Sequence, residues 1–316
     1  MGSLLQRLSR LAAAATLALA FAGGAEAADK VVRVGYQKYG TFLLLKARGI
    51  LERKLEPLGY SVTWTEFPGG PQLLEALNVG ALDFGVTGEA PPIFAQAAGA
   101  PLVYVANEPA APLSEAILVP KDSPLKSVAD LKGRKVALNK GSNVHYLLVK
   151  ALEKAGLAYG DITPVFLPPA DARAAFQHGD VDAWAIWDPF QASAEVTLEA
   201  RTLTSGEGLV SNHQFYLGEQ AFVAGNGPAV DAILASIREI DAWAKGNVDQ
   251  AAAELAPAVG IPVPVLKLAL SRQAWDVQPV SAAVAAEQQK IADTFHDLKL
   301  IPKPLKVEDV VRGNGS

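Results

Sequence analysis

Residues 171–190, DARAAFQHGDVDAWAIWDPF, decide how this chain folds. Ala172, Ala175 and Phe176 fall on one side of a short helix, Gly179-Asp180 makes a turn, and 183–187 is apolar enough for a buried strand. A second helix is expected to open at Asp188, a good N-cap, with Pro189 in its first turn. The chain must then turn sharply just after the strand, which puts Trp187 and Asp188 at the carboxyl end of a strand. Open α/β sheets hold their ligands at that end. Trp184 and Trp187 alternate to opposite faces. Trp187, at the strand's end, is therefore the better candidate for the wall of a cleft.

Outward from this stretch the same punctuation recurs. VVRVGYQ (31–37) is a nearly continuous apolar strand, followed by a helix over 42–55 and an alternating strand SVTWTEF (61–67). QLLEALNVG (72–80) is a helix stopped at Gly80, and ALDFGVTG (81–88) a strand. A short helix opens at Pro91-Pro92, and PLVYVANE (101–108) is a further strand. This order predicts a parallel, helix-covered sheet.

A second series repeats the plan. Its strands are AILVP (116–120), KVALN (135–139), 161–167, 183–187 and RTLTSG (201–206), with a short helix capped by Ser127 and a longer one over 144–155. From Gly227 the chain reads as helical over 228–245, 247–256, 263–270 and 280–298, punctuated by prolines. The organisation predicted is a signal segment 1–27, a first lobe of 28–115 and 221–316, and a second lobe of 116–220. Two crossings, near 114–119 and 215–223, join the lobes, and the helical tail completes the first. Such a cleft between hinged lobes is a preferred ligand site.

Composition removes several function classes. Half of the 316 residues are apolar and the formal net charge is −5, so neither a nucleic acid nor an anionic membrane is indicated as partner. Arg7 and Arg10, the apolar run 11–21 and Ala25-Glu26-Ala27 have the order of a secretory signal peptide, with cleavage after Ala27. The run is shorter than the ~20 residues of a membrane span. There is no cysteine. Thiol catalysis, disulfides and lipid attachment at a mature N-terminal cysteine are thereby excluded, and a soluble exported monomer is expected. The four histidines lack paired spacing, which argues against a zinc site. No cofactor is implied.

Three polar turns fall between strand ends and helix starts: Gly35-Tyr36-Gln37 leading to Thr41, Thr87-Gly88-Glu89, and Gly141-Ser142-Asn143. Helix N-termini present unpaired N–H groups and a partial positive charge, so they attract anions without Lys or Arg. Ser142 and Thr87 add hydroxyls; Gln37 and Asn143 add amides. One exposed helix end contributes only ~0.3–1 kcal/mol, so several must converge. Singly, each residue also has an ordinary structural reading: caps for Ser142 and Thr87, core for the tryptophans, a satisfied polar group for His145. Glu89 and Asp188 could be a hydrolase's carboxylate pair, but no nucleophile with a placed base accompanies them. The serine-hydrolase elbow, the phosphate-binding loop and the dinucleotide fingerprint are all absent.

The segments GYQK (35–38), 66–105, 126–145 and PADARAAFQHGDVDAWAIWDPF (169–190) resemble the family of nitrate-, sulfonate- and taurine-binding periplasmic proteins of ABC importers, and its aliphatic-sulfonate branch most. The likeness runs from about Val31 to Pro304. It implies a two-lobed periplasmic binding protein with two crossovers. Its activity would be capture of an alkanesulfonate for an ABC permease and its ATPase. By resemblance the sulfonate lies near Gln37, Thr87, Gly88, Ser142 and Asn143. His145 contributes, and Trp187 with Asp188 borders the cleft. Glu89 stands where this branch more readily has Asp. Sister proteins take taurine, nitrate or a thiamine-pyrimidine precursor, and a desulfinase on the fold depends on a cysteine that this chain lacks. A sulfonate never protonates near neutrality, so Glu89 and Asp188 are expected to face away from it.

Overall fold

The computed structural model describes residues 30–38 and 40–313, so the expected signal peptide lies outside the described residues. In the first half, β1 (Lys30–Tyr36) is followed by α1 (Thr41–Arg48) and α2 (Ile50–Leu55). The single helix expected over 42–55 is divided because Gly49 takes φ 59°, a left-handed conformation that costs glycine nothing and closes α1. Then come β2 (Tyr60–Glu66), α3 (Gly70–Asn78), β3 (Phe84–Thr87), α4 (Pro91–Ala97) and β4 (Leu102–Asn107).

The second half holds β5 (Glu115–Val119), β6 (Lys135–Leu138), α5 (Asn143–Lys154), β7 (Thr163–Phe166), α6 (Pro169–His178), β8 (Ala183–Trp187), α7 (Phe190–Thr197) and β9 (Arg201–Ser205). The chain returns through β10 (Phe215–Glu219) and continues as α8 (Gln220–Gly225), α9 (Gly227–Gly246), α10 (Val248–Val259), α11 (Val263–Ser271) and α12 (Ala282–Asp297). The helix expected to open at Asp188 starts at Phe190. Asp188 still serves it, accepting a bond from the Ala192 N–H at 3.0 Å.

Two five-stranded sheets result, ordered β2-β1-β3-β10-β4 and β7-β6-β8-β5-β9. Neither is wholly parallel. β10 runs antiparallel to β3 and β4, and β5 antiparallel to β8 and β9. The reason is topological: each of these strands enters its sheet from the other half of the chain rather than through a helical crossover. β10 already belongs to the first sheet, so the return crossing precedes Phe215 and not residue 220. Likewise Glu115 lies in the second sheet, opposite Trp187.

Each sheet has its own buried core. In the second, Trp184 is fully buried and its ring lies 5.8 Å from that of Phe176. The tail does more than complete the first half. α9 packs on α1 and α2, but α11 seats Val265 and Ala269 against Ala192 of α7, in the second half. Beyond α11, Arg272 bonds Glu195 at 2.5 Å and approaches Asp188 at 3.5 Å. Phe295 of α12 lies 5.6 Å from the His145 ring of α5. The tail therefore fastens the halves together, which its own apolar pattern does not reveal.

Candidate functional site

The carboxyl ends of β1, β3, β6 and β8 meet across the gap between the two sheets. On the first side, α3 starts after an extended Gly69 and has no side-chain cap. A Cβ on Gly69 would lie 2.6 Å from the Asn139 amide nitrogen and 3.6 Å from the Trp187 ring, both in the other half. On the second side, α5 also lacks a side-chain cap, because the Ser142 hydroxyl turns back to the Asn139 carbonyl at 2.7 Å. A Cβ on Gly88 would lie 2.9 Å from the Asn143 side chain. Glycine at 69 thus lets the start of α3 lie against Asn139 and Trp187, and glycine at 88 lets the start of α5 lie against the end of β3. The N–H groups of Gly70 in α3 and of Asn143 and Val144 in α5 have no intrahelical partner, while Pro71 has no N–H to offer.

Of the residues singled out in the sequence, Gln37, Thr87, Gly88, Ser142, Asn143 and Trp187 come together here. Their side chains are partly engaged already. The Gln37 amide donates to the Val86 carbonyl at 3.2 Å, and the Thr87 hydroxyl to the Gly88 carbonyl at 3.0 Å. The Asn143 amide nitrogen donates to Glu115, and to the Asn212 side-chain oxygen at 3.1 Å. The side-chain oxygen of Asn143 is left near Gly88. The donors this arrangement leaves for an anion are therefore backbone N–H groups more than hydroxyls or the Asn143 side chain. Asn139 is an addition. It ends the KVALN strand, and its amide reaches Gln72 at 3.4 Å across the gap.

Beside this polar seat, and sharing Gln37 and Trp187 with it, is a cavity of 210 Å³ between the halves, lined chiefly by Phe67, Pro68, Pro168, Pro169, Trp187 and Phe190. Lys38 also lines it, 3.6 Å from Glu66 and half-exposed. The combination is a neutral polar seat with an apolar extension.

Three of the sequence candidates turn elsewhere. His145 is fully buried, accepts the Gly141 N–H at Nδ1 (3.2 Å), and meets the Tyr159 hydroxyl at Nε2 (2.8 Å). With Nδ1 accepting, the ring proton is on Nε2. Burial, with Lys140 nearby, pushes its pKa down to about 4; held between the Gly141 N–H and the Tyr159 hydroxyl, it braces the Gly141 turn. Asp188 faces Ala192 and Arg272; burial raises its pKa to about 7 against the opposing pull of Arg272. Glu89, buried, accepts from the His213 N–H at 3.2 Å, and burial raises its pKa to about 8. Sequence reasoning missed Glu115 and Asn212. An acid opening an otherwise apolar strand, EAILV, is the signal for the first; Asn212 is one of few non-glycine residues at positive φ (51°).

Comparison with known proteins agrees with this architecture. A family model described as NMT1/THI5 like matches residues 59–251. The chain is 46% identical over 306 residues to an Escherichia coli (strain K12) protein named for binding aliphatic sulfonates, covering 96% of this chain and 95% of that one. Among solved structures, the alkanesulfonate-binding protein SsuA from Xanthomonas axonopodis pv. citri, bound to MOPS, is similar at 43% identity and TM-score 0.86, covering 91% of this chain and 99% of that one. The periplasmic aliphatic sulphonate binding protein SsuA from Escherichia coli gives 46% and 0.81, covering 90% and 98%.

Proposed function

This chain belongs to the NMT1/THI5-like family, and on that premise we propose that it is a periplasmic solute receptor that captures aliphatic sulfonates. It hands them to the permease of an ABC importer, carries out no chemistry of its own, and reaches the periplasm through its cleaved N-terminal segment. The observation that carries this reading is that two uncapped helix starts each lie against the opposite half, beside an apolar cavity that Gln37 and Trp187 also line. A sulfonate is a permanent anion whose three oxygens only accept. Oriented N–H groups suit it, and they do not demand the proton that a carboxylate partner would.

In this reading the head group sits among Gly69, Gly70, Thr87, Gly88, Ser142 and Asn143, held mainly by main-chain donors, with Gln37 and Asn139 beside it. The alkyl part runs along Trp187 toward Phe67 and Phe190. His145, Asp188 and Glu89 support the walls from behind. Thermal-shift and isothermal titration with alkanesulfonates, taurine, nitrate and sulfate test it, on protein refolded to remove carried-over ligand. A binder at a hundredfold excess over Kd adds ~2.7 kcal/mol of stability. Sulfonates should stabilise and the other anions should not; a protein stabilised by nitrate or taurine and indifferent to sulfonates would reassign it.

A further inference from the structure

Behind the anion seat lies a pair of acids that the binding reading does not use. Glu89 follows Gly88 directly, at the edge of the first half; Glu115 opens β5 in the second, opposite Trp187. Both are buried, at 1% and 0% exposure. Glu115 accepts from the Asn143 amide, and Asn143 also bonds Asn212. Glu89 accepts from the neighbouring His213 N–H. In each carboxyl group Oε1 is buried with no hydrogen-bond partner among the described residues. No Arg or Lys among the described residues forms an ion pair with either acid.

Two ionised carboxylates in such a place would each bear the cost of desolvation and repel each other. A proton on one removes a charge and makes an orphaned acceptor into a donor. The other groups facing the pair add little relief. Glu287 of α12 repels Glu89, and Tyr146 of α5, His213 and Lys290 line a cavity that Glu89 also borders. We propose that Glu89 and Glu115 together hold a proton beneath the anion seat, and that capture of an anion draws in further proton there. Glu115 is in this view a positioning residue that acts through Asn143. The second part rests on the anion-binding reading above.

The coupling follows from Coulomb's law. A fixed negative charge placed beside Gly88 and Asn143 disfavours ionisation of the acids next to them, so their proton affinity is higher in the complex than in the free protein. By linkage, binding then takes up protons, and affinity is greatest below the free-state pKa of the pair and falls as pH rises through it. Burial, and for Glu115 the charge of Glu89, raise both acids, Glu89 to about 8. The fall is thus placed in mildly alkaline solution.

The test is isothermal titration of the full mature chain with ethanesulfonate, in phosphate and in Tris, from about pH 6 to pH 9. The apparent enthalpy should differ between the buffers near about pH 8 by an amount corresponding to proton uptake, and should converge at the acid end. In Glu115→Gln, which keeps an acceptor for Asn143, the difference should shrink while ethanesulfonate still binds within about tenfold. Equal enthalpies in both buffers throughout, with ethanesulfonate bound, overturn the proposal. Should ethanesulfonate not bind, the sulfonate reading is what fails. The pair is then read in the free protein by carbon-13 NMR of labelled glutamate carboxyls. Two signals titrating well above the ordinary range, of which Glu115→Gln removes one and shifts the other, support the proton-holding pair; their absence overturns it.

Discussion

The two halves share a strand order and differ in what they bring to the gap. Each has three parallel strands in the order second, first, third, then an antiparallel strand that the chain enters directly from the other half, then an edge strand. The first half offers nearly bare backbone at Gly69, Gly70 and Gly88. The second offers filled positions: Asn139, Ser142, Asn143 and Trp187. One plan thus yields a smooth surface and a textured one, and close approach of the two halves requires that combination. Had both sides carried side chains, they could not lie this close, since a Cβ at 69 or 88 would already clash with Asn139 or Asn143.

That contrast can be broken most severely from the smooth side. Gly88→Val puts atoms where Asn143 already sits, and Gly88 is not at positive φ, so the change acts through contact and not backbone strain. Sulfonate affinity should fall at least ~100-fold by titration calorimetry, with the unfolding transition shifted only slightly. From the textured side, Trp187→Ala should weaken a long-chain sulfonate by ~1–2 kcal/mol more than methanesulfonate, since each buried methylene is worth about 0.8 kcal/mol. Equal losses for both would remove Trp187 from the wall.

The fastening between the halves gives a third measure. Arg272→Met leaves Asp188, fully buried, facing a lost cation. Denaturant unfolding at neutral pH should show a loss of ~1–3 kcal/mol. Asp188 has a folded pKa near 7, above its unfolded value, so the folded state binds more protons between the two. Its penalty is therefore present above about pH 7 and fades as pH falls toward the unfolded value near 4. Losing Arg272 raises the folded value further, so acidification should recover part of the variant's deficit.

His145 gives the smallest effect, of the opposite sign. Its folded pKa, about 4, lies below the unfolded value near 6.5, so the unfolded chain binds more protons in that interval. The neutral ring's contribution is full above about pH 6.5 and is lost as pH falls toward 4. His145→Gln should flatten this part of the stability profile, measured as the difference from the parent chain.

Much of the architecture was legible because it is local. The Gly and Pro stops, the apolar run 183–187 and the strand–turn–helix spacing around Ser142 and Thr87 depend on neighbours in sequence. The split at Gly49 was visible only as a glycine within a helical pattern, and its left-handed φ is a matter of tertiary choice. The direction of β5 and β10 was not legible: the sequence placed each in its sheet, but EAILV and FYLGE carry no mark of running antiparallel to their neighbours. At the site, residue type and position were readable at Gln37, Thr87, Ser142 and Trp187. The orientation of His145 was not, because its partner Tyr159 stands 14 residues away; Asp188 was expected to face away from the seat, but its partner Arg272, 84 residues on, was not foreseen. Glu115 was hidden for the same reason: its meaning depends on Asn143 and Glu89.

The seating of α11 on α7, with Arg272 reaching Asp188 and Glu195, adds a third attachment to the two connecting strands. A body joined at several places swings only about the line those joints share, as a book opens along its spine. Probes on opposite covers, at Phe67 and Pro168, would therefore register the full travel of the pages. Probes at Ala192 and Ala269, close to the binding, would hardly register it.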